Sequence, residues 1–199
     1  MIPPLHTSAG LQTAGAGNLS GAAWWHANQA KYPNSKSVED LAPAFRTSVK
    51  KFLAALAEAG ASVSIETTRR NQNRAYLMHY SWMIAHGQID SSKVPLVPGV
   101  NIVWDHSNAA ASRSAAQQMV GLFQMAHIAA LNSNHISGNA IDMNINWTGI
   151  IQVKDSTGHP KPIGAPNNEA HNAALHSLGG GYGVRKLLSD PPHWSVNGH

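Results

Sequence analysis

Apolar positions along this chain change period several times, and each change marks an element. Leu41, Phe45, Val49, Phe52, Leu53 and Leu56 recur at helical spacing, with the capping pair Ser37 and Asp40 before them and Gly60 after them. The spacing predicts a helix with one face on the core. From Ser62 the period becomes two, Val63, Ile65 and Thr67 alternating with Ser62, Ser64 and Glu66, which predicts a strand leading into Thr68, Arg69 and Arg70. Upstream, Ser20 reads as the cap of a short helix carrying Ala22, Trp24, Trp25 and Ala30, closed by the Pro33-Asn34 turn. Downstream, AYLMHYSWMIAHG predicts a helix ending at Gly87, then a Pro-containing loop, the short apolar segment NIVW, and a long helix within residues 109 to 131.

Alternation returns in NAIDMNIN, placing Ile141, Met143 and Ile145 on one side and Asp142, Asn144 and Asn146 on the other. The Trp147-Thr148-Gly149 turn and the segment IIQV that follows suggest a hairpin spanning about residues 140 to 153. A helix around Ala170 to Leu178, a glycine-rich turn and a short strand or turn in DPPHWSVNGH complete the chain. The interleaved elements with a local hairpin favour an α+β fold with an antiparallel sheet over a doubly wound parallel one. Residues 1–19, rich in Gly, Ala, Ser and Thr without a period, read as a flexible leader, leaving 20–199 as a single domain.

Composition narrows the function classes. The net charge of +4 comes from scattered basic residues, 14 against 10 acidic, with no basic arm or stripe, so nucleic acid is not an expected partner. No apolar run reaches the length of a membrane span, and the first residues lack the basic and hydrophobic regions of a secretion signal. With no cysteine, any metal must be held by His and carboxylates.

Two of the places where the 12 histidines fall carry context: Ser133 to Asp142, and Asp190-Pro191-Pro192-His193-Trp194. His135 lies in a loop and Asp142 on the polar side of a strand, with Gly138 between them where the chain must turn. That separation can fold both side chains onto one ion, and His193 supplies a third ligand of the kind catalytic zinc takes. Standing alone, the first segment reads rather as a loop histidine and an aspartate that hydrogen-bonds a turn.

Ser133, His135, Gly138, Ala140 and Asp142 resemble, position for position, the SxHxxGxAxD signature of the zinc D-alanyl-D-alanine carboxypeptidase and L-alanyl-D-glutamate endopeptidase family. Asp190, His193 and Trp194 match its second signature, an acidic residue three before the last zinc histidine with an aromatic after it. The resemblance covers about residues 37 to 199. It implies the small DD-peptidase-like (Hedgehog-like) α+β fold, with flanking helices and zinc in an open cleft. It implies zinc held by His135, Asp142 and His193, Asp190 as general base, and an oxyanion-stabilising arginine after a strand, here Arg69 with Arg70 as the alternative. Many relatives carry Glu where this chain has Asp190, which leaves the cleaved bond open.

The expected protein is therefore a monomeric zinc peptidase of peptidoglycan stem peptides, cutting either L-Ala-D-Glu or a terminal D-Ala. Without a secretion signal it would be made in the cytoplasm and reach the wall by release or export, as a phage lysin or a wall-degrading effector. Two other classes stand beside this one. A non-catalytic wall-binding module could keep the fold and the metal, although three ligands plus an acid at the base position speak against it. A basic phage structural or nucleic-acid-binding protein would need the basic stripe that is absent. Among the other histidines, Trp104-Asp105-His106 reads as structural or cleft-lining. His171 and His176, five apart on a helix, do not face one another, and His199 reads as mobile.

Overall fold

In the computed structural model, which describes residues 16–199, the periodic stretches become six α-helices and six strands. In chain order they are α1 (Ala22–Asn28), α2 (Pro43–Glu58), β1 (Ser62–Thr67), α3 (Gln72–Ala85), α4 (Ala109–Leu122) and α5 (Asn134–Ser137). β2 (Ala140–Asn146), β3 (Ile151–Lys154), β4 (Pro160–Ile163), α6 (Ala173–Gly181), β5 (Arg185–Lys186) and β6 (His193–Ser195) follow. The sheets are antiparallel and flanked by helices, an α+β arrangement. Among the described residues no helix is long and apolar enough to cross a membrane.

The described residues form two compact units, 16–31 with Tyr76–Ala129, and Tyr32–Ala75 with Ala130–His199. The first unit is helical. Trp24 and Trp25 are buried in it, Trp24 Nε1 donating to Asn101 O at 2.9 Å and Trp25 meeting Phe123 edge-on at 4.5 Å. Its first helix is not capped by Ser20, since Gly21 occupies the N-cap and the Ser20 hydroxyl pairs with His106 Nε2 at 3.0 Å. Residues 1–15 of the predicted leader lie outside the described residues. The rest of that stretch is tied down, Asn18 O accepting from Val103 N at 2.7 Å and Leu19 bridging Val103. The long helix expected within residues 109 to 131 runs from Ala109 to Leu122, and Gln124, at φ 53°, turns the chain away beyond it.

The second unit holds the larger sheet, in the order β1-β2-β6-β5. In β2 the alternation is as the sequence implies: Ile141, Met143 and Ile145 are fully buried, whereas Asp142 and Asn144 lie partly exposed on the opposite face. Val63 and Ile65 face Ile145 and Met143 across β1, and Trp194 faces Ile141 across β6, so the apolar face is continuous across three strands. Phe45, Val49, Phe52 and Leu56 of α2 cover that face, Phe52 lying 5.7 Å from Trp194. Each fully enclosed phenyl or aliphatic side chain there contributes about 1.5–3 kcal/mol. Pro43 at the first turn starts α2, later than the Ser37–Asp40 pair suggested; Ser37 caps a 3₁₀ turn (Val38–Asp40) instead. Gly179 of α6 packs so close that a Cβ would stand 2.7 Å from the Trp194 ring.

The hairpin expected at 140–153 does not form. Both edges of β2 are already taken by β1 and β6, so β3 pairs with β4 in a separate two-stranded sheet. The final helix begins at Ala173, three residues later than predicted, where the Asn172 side chain accepts from Leu175 N at 2.8 Å.

Candidate metal centre

The seven-residue spacing from His135 to Asp142 is a turn of helix, a reversal and a strand start. α5 ends at Gly138 with φ 74° and ψ 22°, a left-handed cap that glycine adopts without steric cost. A side chain there would also put its Cβ 2.9 Å from Ala42 N, whose amide donates to Gly138 O at 2.9 Å. β2 then starts at the fully buried Ala140 and brings Asp142 back beneath His135. Pairing with β6 sets Asp142 directly opposite His193. On the other side a bulge between Ile65 and Thr67 advances β1, so that Thr67 rather than Glu66 faces Asp142.

Three ligand atoms meet as a result. His135 Nε2, His193 Nδ1 and Asp142 Oδ1 form a triangle with every side 3.1 Å. Both histidines are buried, at 5% and 8% exposure. Their remaining ring nitrogens are engaged: His135 Nδ1 donates to Thr68 O at 2.8 Å and His193 Nε2 to His199 O at 3.2 Å. Those bonds fix the tautomers, so each neutral imidazole directs a lone pair at the point where the carboxylate also directs one.

Three converging acceptors with no donor among them repel unless a cation or a shared proton sits between them. The separations suit a cation, because tetrahedral ligands with bonds of about 2.0 Å lie about 3.3 Å apart. His135, Asp142 and His193 are the group of described residues able to hold a metal ion. With a shared proton in place of an ion, burial works to raise the Asp142 pKa, but hydrogen bonds and positive charge from His135 and His193 outweigh it and hold the carboxyl well below the usual carboxylate range. The carboxylate is thus kept as an anion.

Around this triangle the two arginines differ. Arg69 is exposed, whereas Arg70 is half-buried, its amide donating to His135 O at 3.1 Å. Burial pushes the Arg70 pKa down against the opposing fields of Asp142 and Asp190, and its Nε is buried without a partner. Both arginines line a cavity of about 290 Å³ with Ser35, Asp40, Asn71 and Ile136. Asp190 is exposed, and its backbone carbonyl accepts from His193 N at 3.0 Å.

Other candidates resolve into packing. Trp104 is buried with Nε1 on the Tyr76 hydroxyl at 3.2 Å, and His106 N donates to Ser112 Oγ at 3.0 Å. His176 Nε2 pairs with Glu169 O at 2.7 Å. His199, expected to be mobile, is held by Ser195 Oγ, and its own backbone oxygen collects Asn134 Nδ2, Ser195 Oγ and His193 Nε2. Three contributors escaped the sequence reading, Thr68 and His199 through their carbonyls and Lys186 through its donors to the loop before His193. Compared with family models, with curated proteins and with solved structures, the chain matches none.

Proposed function

We propose that this chain is a zinc-dependent peptidase of peptidoglycan stem peptides, with zinc held by His135, Asp142 and His193. The observation that carries the reading is the triangle of three mutually facing acceptors, built by residues that fit the SxHxxGxAxD and DxxH signatures. In this reading the fold is DD-peptidase-like, and the protein is a phage lysin or an exported wall-degrading effector. Nothing in the donor set alone selects zinc, but two imidazoles and one carboxylate suit it better than Mg²⁺ or Ca²⁺, which prefer oxygen ligands.

A peptide carbonyl is a poor electrophile and water a poor nucleophile; a zinc ion polarises the first and acidifies the second. His135 and His193 act as neutral ligands, oriented by Thr68 O and His199 O. Asp190 accepts the proton of the attacking water and passes it to the leaving amine. Arg70 takes the role that chain order gave first to Arg69, holding the developing oxyanion or a substrate carboxylate, because its guanidinium sits in the field of Asp142 and Asp190. The deciding experiment digests purified peptidoglycan with the protein as prepared, after chelation, and after zinc is restored, and identifies products by mass spectrometry. Cleaved stem peptides that vanish on chelation and return with zinc are expected. Intact stem peptides in all three arms overturn the assignment.

A further inference from the structure

The loop 187–193 leaves β5 and returns as β6, carrying Asp190 and ending at His193. Its backbone closes on itself, Leu187 N donating to His193 O at 3.1 Å, Asp190 N to Leu187 O at 3.3 Å and His193 N to Asp190 O at 3.0 Å. Pro191 and Pro192 remove two amides from this loop, so its carbonyls outnumber its backbone donors. The three carbonyls that take those amides also accept from one side chain. Lys186 Nζ donates to Leu187 O, to Asp190 O at 2.6 Å and to His193 O at 3.2 Å. An ammonium has three protons, and here each has a carbonyl.

We propose that Lys186 is a positioning residue, its ammonium gathering the 187–193 backbone so that His193 and Asp190 are held at the metal centre. The inference rests on reading His135, Asp142 and His193 as that centre. A lysine on an edge strand ordinarily keeps its charge in water and discourages edge-to-edge pairing. Lys186 turns inward instead. It is half-buried and lies opposite Trp194 in the strand register, with Nζ 5.7 Å from the Trp194 ring centre. Holding so long a side chain in one conformation costs entropy, which the three carbonyl contacts and the ring offset. Because His193 O and Asp190 O are both in the set, the ammonium acts on the backbone of a ligand and of the base together.

The test replaces Lys186 by Met, which keeps the apolar stem and removes charge and donors. Zinc affinity is measured by competition with a chelator, amide exchange is followed at residues 187, 190 and 193, and kcat and KM are measured on a defined stem peptide. Lys186→Met is expected to lose about 10- to 100-fold in zinc affinity, the usual size of an effect transmitted through a ligand's supporting contacts. Exchange at the three amides should quicken, and kcat should fall with KM nearly unchanged. Arg185→Ala, exposed on the same strand, should leave all three as they were. A Lys186→Met protein that is only less heat-stable, with wild-type zinc affinity and loop exchange, overturns the proposal. Should that variant not fold, Lys186→Gln is judged by the same two measurements. If the wild-type protein binds zinc but cleaves no stem peptide, the peptidase reading falls, while affinity and exchange still decide the role of Lys186.

Discussion

Two aspartates of the second unit each keep company with histidine, yet they are built for opposite purposes. Asp155, in the turn between β3 and β4, is encircled by donors: Oδ1 accepts from Thr157 N at 2.9 Å, Thr157 Oγ1 at 2.7 Å and His159 N at 3.0 Å. Lys161 adds a positive charge at 3.6 Å, and His159 is 77% exposed. Every donor comes from within six residues, so the carboxylate staples its own turn and requires no further partner. Asp142 instead faces acceptors, two imidazole nitrogens delivered from 7 and 51 residues away, each with its proton committed elsewhere. A low carboxyl pKa is common to both and distinguishes neither. What separates a turn from a metal centre is whether the surrounding atoms bring protons or lone pairs.

The sharpest way to break this comparison is to delete each aspartate. Asp142→Ala, and equally His135→Ala or His193→Ala, should abolish stoichiometric zinc and bring turnover to background, since three ligands are the minimum for a catalytic site. Asp155→Ala should keep one zinc per chain and full turnover. Metal analysis of the purified variants checks both, and full zinc content in a protein lacking all three ligands would break the assignment.

Next in size are the groups that act around the ion without holding it. Asp190→Asn should retain zinc and fold but lose about 10² to 10⁴ in turnover, as expected for a general base. Near-normal turnover would leave Asp190 as a turn residue before proline. Arg70→Ala should cost about 10² to 10³ in kcat if it stabilises the oxyanion, and should appear in KM instead if it binds a substrate carboxylate. Arg69→Ala should do less than either, because its side chain is exposed. A defect confined to Arg69 would return the role to the residue that chain order favoured.

What the sequence made legible was what local periodicity and short spacing encode. β1 and the two faces of β2 follow from alternation, and Gly138 marked the turn between His135 and Asp142, while pairing the two as ligands rested on the resemblance. The misplaced hairpin shows the limit, since IIQV carries a strand pattern whichever partner it takes, and the occupancy of both β2 edges is decided by β1 and β6 from far along the chain. The supporting atoms were invisible for a related reason. Thr68, Leu187 and His199 contribute backbone oxygens, which any residue possesses. The choice between Arg69 and Arg70 turns on burial, Arg70 being half-buried in the fields of Asp142 and Asp190 and Arg69 exposed, a difference that leaves no mark in a two-residue period.

The smallest expected effect sharpens the other half of the comparison. If Asp155 is a turn staple, its contribution to stability is carried by ionisation, because its hydrogen bonds with Thr157 and the amide of His159 push the carboxyl pKa down to about 2 in the folded chain, while the unfolded chain titrates near the ordinary carboxylate value of about 4. The unfolded state therefore binds the proton first as acid is added, and the folded state is penalised. The stabilisation is fully present above about pH 4 and is lost as pH falls towards about 2. Asp155→Asn keeps an oxygen acceptor on the same turn without the charge, and every other carboxyl group, Asp142 included, is common to the two proteins. The difference in midpoint of thermal unfolding between wild type and Asp155→Asn should accordingly be small, constant at neutral pH, and vanish across that acid window. A difference that persists unchanged to the acid end would assign the contribution to geometry rather than charge. One that disappears on chelation at neutral pH would mean that the turn and the metal centre are not the separate devices their surroundings make them.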